Sequence, residues 1–524
     1  MKNLILNNAH LVEIEKMDNV QLVIPMSGKG QRFKTAGYTD PKPLIEVDGE
    51  PMVHWVTKLF PGVKDVIFIC NNEHLEDTDM RNILMGICPT ARIVEVDSHG
   101  RGPVHAVAKA FNRISNTKEV IVSYCDYGTL WDFEKFMEDV KGFDGGLACY
   151  KGFHPHMLGT TNYAFCKHTD NVLEEIKEKE PFTDNRMEEY ASNGTYYFNN
   201  GSMMKKYFQE AIDTNLNVNG EHYVSLVYNL LVRDGLKTKI FEIDKMLQWG
   251  IPYDLEVYKM WSSYFNRPWS ARSAEHFKLV LPMSGKGTRF SEEGYEVPKP
   301  FIDVDGSPMV FNAVDCLPKH KEAVFICLEE HDAEDIIKDK YPSAKVVNID
   351  GVTEGQAVTC EIGIREANID PEEPILISAC DNGVAYDSAK FSELIKDESN
   401  DVIVWSFRNN PTSQYNPDMY SWLSVDEEDI VNYVSCKKFN QLEPKTTHAI
   451  IGTMYFRKAK YFLDGLKTNM ENDYRTNGEF YVDDVLNRNI ESGLNVKVFE
   501  VDNYICWGTP NDYKTYNYWS EFFG

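Results

Sequence analysis

No run of about 18 apolar residues occurs anywhere in the chain, so nothing in it reads as a membrane-spanning helix. Paired C-x-x-C clusters are also missing. The 11 cysteines are scattered and odd in number, which fits reduced thiols in a cytoplasm better than a disulfide framework or a zinc site. Positive charge is scarce: 54 Lys and Arg stand against 81 Asp and Glu, a formal net charge of −27. That balance opposes non-specific binding to nucleic acid, where Lys and Arg must neutralise phosphates. It does not oppose holding a few phosphates on local basic residues and a metal. The opening segment, MKNLILNNAHLVEIEKMDNV, carries too much charge for a secretory signal. Apolar residues make up 43% and charged residues 26%, the composition of a soluble globular protein with a full core. At 524 residues two domains are expected.

What is present is a repeat. LVIPMSGKGQRF opens at Leu22 and LVLPMSGKGTRF at Leu279, about 257 positions on. The offset persists through PKPLIEVDG and PKPFIDVDG, through YCDYG around Asp126 and ACDNG around Asp381, and through NGEHYV and NGEFYV. It ends in QWGIPYD and CWGTPND, with Trp261 matching Trp519. A period this long signifies a duplicated domain rather than a solenoid, whose repeats run about 20–50 residues. The expected organisation is one domain over 19–265, a linker over 266–277, and a second domain over 278–524.

In the first copy, apolar β-branched runs at 20–25, 65–70, 91–96 and 119–124 read as buried strands. They alternate with helical patterns at 52–60, 103–114 and 131–140. This alternation predicts an α/β fold, in two tandem Rossmann-like domains with mixed, mainly parallel sheets. Ligands bind such sheets at the carboxyl ends of the strands. The glycine loop and the YCD motif both follow predicted strands, so they are expected to meet at one cleft.

Glycines after a strand let backbone N–H groups cradle phosphates, and Arg32 and Arg289 would add a charge-assisted fork. A tight turn that merely uses Gly is the plainer reading of the loop taken alone, because it matches neither the Walker pattern nor G-x-G-x-x-G. The prolines of Pro41-Lys42-Pro43 and Pro298-Lys299-Pro300 stiffen the backbone that presents each lysine. Taken together, G-x-G-x-R-F followed by G-Y-x-x-P-K-P resembles the signature of the sugar-phosphate nucleotidyltransferases (nucleotide-sugar pyrophosphorylases). Those enzymes join a nucleoside triphosphate to a sugar 1-phosphate and release pyrophosphate.

The resemblance implies that Arg32 and Arg289 grip the β- and γ-phosphates and that Lys42 and Lys299 touch the α-phosphate. It implies nucleotide contacts from Met26, Ser27, Gly28, Lys29 and Gly30 and from Met283, Ser284, Gly285, Lys286 and Gly287. Asp126 and Asp381 are the implied Mg²⁺ ligands; one carboxylate can suffice for a hard cation that keeps waters and substrate phosphates. The plainer reading of these aspartates is a helix or turn cap. The family's second metal aspartate is replaced here by Gln248 and Cys506, and for the nearby Asp254 and Asp512 a helix N-terminal cap is the better reading.

The implied base segment, T-x-G-x-A, is kept in the second copy as Thr353, Gly355 and Ala357. The first copy has Gly100-Arg101-Gly102-Pro103-Val104, leaving Gly102 as its nucleotide contact. On the sugar side the implied Glu-Lys pair is Glu178-Lys179, against Cys436-Lys437 in the second copy. Asn193 and Gly194, and Gly452, fall in the strand that the resemblance implies lines the sugar pocket. For Glu221 and Glu479, sugar-hydroxyl binding and structural hydrogen bonding are equally good readings. His74 and His331 read as fold-keeping or surface residues, and Cys125 and Cys380 as buried strand-end residues.

The expectation is an Mg-dependent cytoplasmic nucleotidyltransferase acting on an NTP and a phosphorylated sugar or similar small molecule, in surface polysaccharide biosynthesis. No nucleic-acid or membrane partner is expected, and self-association is left open. One alternative makes one copy catalytic and the other a regulatory or scaffold module. Another is a metal-dependent glycosyltransferase, which the intact phosphate motifs argue against, since such an enzyme has no pyrophosphate to grip.

Overall fold

The structure is a computed structural model that describes residues 17–267, 272–440 and 443–524. Within the linker expected at 266–277, residues 268–271 lie outside the described residues, as do residues 1–16 of the opening segment. The chain divides into two compact units, Met1–Lys259 and Met260–Gly524.

The first unit is built on a nine-stranded sheet. Its strands are β1 (Val20–Met26), β2 (Asp65–Asn71), β3 (Arg92–Val96) and β4 (Glu119–Ser123). After a short β5 (Tyr127–Leu130) come β6 (Gly145–Tyr150), β7 (Ala164–Thr169), β8 (Val172–Glu178), β9 (Tyr190–Phe198) and β10 (Thr238–Glu242). The order is β3-β2-β1-β4-β9-β6-β10-β8-β7. Its first four strands are parallel, as the strand–helix alternation requires. The sheet then turns mixed: β9 runs antiparallel to both β4 and β6, while β10 is parallel to β6. A final strand, β11 (Lys245–Gln248), leaves the main sheet and pairs antiparallel with β5.

Both faces of the sheet are covered. Leu22 and Ile24 of β1 pack into one apolar cluster and Val23 into another on the opposite side, all fully buried. This is the period-two alternation of a strand, and each such side chain contributes on the order of 2 kcal/mol of burial.

The second unit has its own nine-stranded sheet. It contains β12 (Lys278–Pro282), β13 (Glu322–Leu328), β14 (Lys345–Ile349), β15 (Ile375–Ile377) and the short β16 (Asn382–Ala385). These are followed by β17 (Val402–Phe407), β18 (Trp422–Val425), β19 (Val431–Ser435), β20 (His448–Phe456), β21 (Val496–Glu500) and β22 (Asn503–Cys506). The order β14-β13-β12-β15-β20-β17-β21, with β18 on β19 and β20 and with β22 on β16, follows the first unit's plan. Among the described residues no helix is long and apolar enough to cross a membrane.

Candidate functional site

In the first unit β1 ends at Met26, and the chain turns through Ser27 to Gly30 into a five-residue helix, Gln31–Thr35. Gly30 caps that helix with φ +64, a left-handed conformation that glycine adopts without a Cβ penalty. Phe33 is buried beneath it, while Arg32 stays exposed. Pro41 then leads into a 3₁₀ turn, Lys42–Leu44, and the Lys42 ammonium sits 5.4 Å from the centre of the Phe33 ring.

Lys42 Nζ donates to Oδ2 of Asp126 at 2.6 Å and to the carbonyl of Gly250 at 2.7 Å. Asp126 follows β4, so the two parallel-strand ends and the segment after β11 converge on one ammonium. The convergence opens into a cleft with two adjoining chambers. The larger, about 710 Å³, is lined by Gly28, Lys29, Gly30, Arg32, Lys42, Asp126, Glu178, Lys179, Asn193, Gly194 and Glu221. The smaller, about 310 Å³, adds Met26, Ser27 and Gly102. Every first-copy position read from the sequence as a nucleotide, substrate or metal contact therefore borders this cleft, while His74 and Asp254 do not line it. The sequence reading missed Ser98, His99, Tyr124 and the Gly250 carbonyl, which border it too. A backbone carbonyl leaves no residue signature, Ser98 and His99 stand outside the recognised motifs, and Tyr124 lies within the YCD motif but reads there only as a neighbour of Asp126.

At the far end of the larger chamber Glu178 closes β8 and accepts a hydrogen bond from Ser225 Oγ at 2.5 Å. Burial lifts its carboxyl to about 7, against the lowering pull of Ser225 and Lys179. Lys179 takes φ +62 and donates to the Tyr223 hydroxyl at 2.6 Å, and that hydroxyl in turn donates to Glu221. Gly102 caps the helix Pro103–Lys109 at φ +87, and a Cβ there would stand 2.7 Å from the His222 backbone nitrogen.

In the second unit Gly287 caps Thr288–Glu292 at φ +62, with Arg289 and Lys286 exposed and Ser284 and Met283 buried. Lys299 Nζ donates to Oδ2 of Asp381 at 2.5 Å and to the Gly508 carbonyl at 2.9 Å. Burial pushes the Asp381 carboxyl up, but the Lys299 ammonium outweighs it and holds the group below its ordinary value. Exposed Gly285 completes the loop. Thr353 Oγ1 bonds the Gly355 carbonyl at 2.8 Å, and Ala357 N donates to the Phe480 carbonyl at 3.0 Å, which fixes the backbone of this segment. Lys437 repeats the left-handed backbone at φ +49, yet its ammonium bonds the Met419 carbonyl at 2.8 Å. Gly452 repeats the positive φ of Gly194, and the Glu479 carboxylate faces the Tyr481 hydroxyl.

Asp512 forms a capping box with Thr509 at the start of the helix Pro510–Phe523. Asp254 lies in the first turn of the helix Pro252–Asn266, but Ile251 stands where the second unit has Thr509, and burial lifts its carboxyl to about 7. Cys125 is buried and Cys380 half-buried, and desolvation pushes both thiols up to about 12, so neither is a nucleophile near neutrality. His74 is buried. Among the described residues no group of three or more His, Cys, Asp or Glu is arranged to hold a metal.

Residues 22–177 match the MobA-like NTP transferase domain. The bifunctional protein GlmU of Staphylococcus epidermidis is 24% identical over 225 residues, which is 42% of this chain and 47% of the relative. The chain thus spans about half the length of the curated relatives it matches. Among solved structures, the nucleoside-diphosphate-sugar pyrophosphorylase from Vibrio cholerae RC9 is 23% identical, covers 45% of this chain and 99% of its own, and has a TM-score of 0.37. The inositol-1-phosphate CTP transferase from T. maritima is 17% identical, with 48% and 97% covered and a TM-score of 0.38.

Proposed function

We propose that this chain is a nucleotidyltransferase of the sugar-phosphate type it resembles, and that each of its two units joins an NTP to a phosphorylated sugar, or a similar phosphorylated small molecule, with release of pyrophosphate. A phosphate oxygen of the sugar phosphate attacks the α-phosphorus, the bond from that phosphorus to the bridging oxygen breaks, and pyrophosphate leaves. The nucleophile is already ionised near neutral pH, so the protein needs no general base. Its task is alignment and the neutralisation of charge.

The observation that supports this best is the shared ammonium. Lys42 lies at the junction of the glycine loop, Asp126 and the chamber that reaches Glu178 and Lys179. In this reading Arg32 and Arg289 hold the β- and γ-phosphates, Lys42 and Lys299 the α-phosphate, and Lys179 and Lys437 the phosphate of the second substrate. The loop amides around Gly28 and Gly285 receive the nucleotide.

The residues fit a hard divalent cation in the first unit. Asp126 Oδ2 and Gln248 Oε1 lie 3.1 and 3.2 Å from the point that a Cβ on Gly250 would occupy, a pair of oxygen donors. At the same point in the second unit Asp381 Oδ2 at 3.4 Å is joined by Cys506 Sγ at 3.2 Å, so only the carboxylate suits Mg²⁺ there. Bound Mg²⁺ would neutralise the phosphates and polarise the reacting centre. We place the reaction in the cytoplasm and in surface polysaccharide biosynthesis.

The test is pyrophosphate release by the full chain, by Lys42→Ala, by Lys299→Ala and by the double variant, across the four NTPs and a sugar-phosphate panel with Mg²⁺. Each single variant is expected to lose at least about a hundredfold for one substrate pair. A double variant that still releases pyrophosphate at the wild-type rate overturns the reading. A variant unit that binds nucleotide while its wild-type form shows no turnover would favour the second reading, a regulatory module; the Gln248, Cys506 and Cys436 positions are what keep that reading in play.

A further inference from the structure

The two units repeat the same lysine, aspartate and carbonyl contacts but differ in the residues around the strand that carries Gly194 and Gly452. Two backbone features fix the correspondence. Gly194 and Gly452 share positive φ on β9 and β20, and Lys179 and Lys437 share left-handed backbone after β8 and β19.

Beside Gly194 the first unit places Asn193, which is 3% exposed and borders the cleft. Its Oδ1 accepts from the Thr195 amide at 2.9 Å. Its Nδ2 has no hydrogen-bond partner among the described residues. A buried amide donor left unmet is costly, so this N–H points to an acceptor on a ligand. Ser192, Tyr196 and Tyr124 border the same chamber, and Glu178 supplies its carboxylate.

The second unit removes this set position by position. Ile451 stands for Asn193, Ile450 for Ser192, Met454 for Tyr196 and Ala379 for Tyr124. Glu178 becomes Cys436, and its helix partner Ser225 becomes Asp483. The carboxylate has thus moved from the strand end to the helix, where it is buried and accepts from Ser421 Oγ. The amide and two phenols of the first unit are gone, and two isoleucines, a methionine and an alanine replace hydroxyl-reading groups.

We infer that the two units take different second substrates: the first a polyhydroxylated phosphate, such as a sugar or polyol phosphate, and the second a phosphorylated alcohol whose carbon part bears few hydroxyl groups. A site built to bond hydroxyls rejects a molecule that lacks them, and an apolar wall leaves a polyol's hydroxyls unpaired. The inference rests on the nucleotidyl-transfer reading above.

The experiment uses the full chain, all four NTPs and two panels. One panel is hexose and pentitol phosphates; the other is ethanolamine phosphate and propanediol phosphate. Pyrophosphate release from the first panel is expected to collapse in Lys42→Ala, and release from the second in Lys299→Ala. Asn193→Leu is expected to raise KM for first-panel substrates about tenfold while kcat moves far less, which a merely structural role would not produce. Loss of polyol turnover in Lys299→Ala, or the same lysine dependence for both panels, overturns the inference and leaves nucleotidyl transfer standing. Absence of pyrophosphate from the wild-type chain with every pair overturns nucleotidyl transfer, and this inference with it.

Discussion

Lys42 Nζ and Asp126 Oδ2 lie 2.6 Å apart across 84 residues of sequence, and Lys299 and Asp381 repeat the pair across 82. Both Lys42 and Asp126 are about four-fifths buried, so each is the other's main compensation. Lys42→Met and Asp126→Asn are each expected to destabilise the fold by about 1–3 kcal/mol. The double variant should lose less than the two losses added, because the second change removes a charge already stranded by the first. Urea unfolding of the four proteins gives the coupling directly. Strict additivity would mean that the two groups do not compensate one another.

Asp254 should make stability depend on pH. Its carboxyl is lifted by burial from 3.8 to about 7. An acid with a raised folded-state pKa favours the fold while protonated; that contribution is complete below the unfolded value and is lost as pH rises through about 7. Asp254→Asn is therefore expected to be more stable than wild type at pH 8, by on the order of a few kcal/mol, and so to melt higher there, with the advantage vanishing toward pH 4. Melting curves at four pH values test this, and a pH-independent difference counts against it.

Gly102 and Gly355 leave no room for a side chain. A Cβ on Gly355 would stand 2.5 Å from the Phe480 carbonyl oxygen, and both glycines have positive φ. Gly102→Ala and Gly355→Ala are each expected to cost about 2 kcal/mol or more and to weaken nucleotide binding to their own unit. Nucleotide-induced shifts in melting temperature measure both, and a variant with unchanged melting and unchanged shift would contradict the packing described.

Lys179 occupies backbone that glycine would take more readily, at φ +62. Lys179→Gly is expected to leave stability unchanged or raise it by up to about 1 kcal/mol, while KM for the phosphorylated substrate rises about tenfold. Paired unfolding and steady-state measurements decide it. A loss of stability without a change in KM would make the lysine structural.

The parallel half of each sheet was legible because buried strands such as 65–70 and 119–124 are continuous apolar runs flanked by helical patterns. Their observed bounds, Asp65–Asn71 and Glu119–Ser123, differ by a residue. The antiparallel strands around β9 were harder to place, since their partners lie far off in sequence and pairing leaves no local mark. That the glycine loop and the Pro-Lys-Pro turn meet at one cleft was legible because glycine, proline and lysine at fixed spacing constrain the backbone. Tyr124 and His99 were not, because a lining residue needs only the right position, which any local sequence can supply. Thr509 and Asp512 could be paired by their spacing alone; Ile251 shows why the same reading does not extend to Asp254.

The Gly250 and Gly508 carbonyls that hold the two lysines lie 208 and 209 residues beyond them. Each site is therefore a long-range closure, joined only after nearly the whole unit has been synthesised and its last short strand has docked. A chain emerging from the ribosome carries the glycine loop early but completes the lysine's coordination late. Contacts of such sequence separation form slowly, because the loop must be closed before any bond rewards it. A unit truncated before its closing segment would keep the loop and lose the seat of the lysine, which ties possession of a finished site to possession of a finished fold.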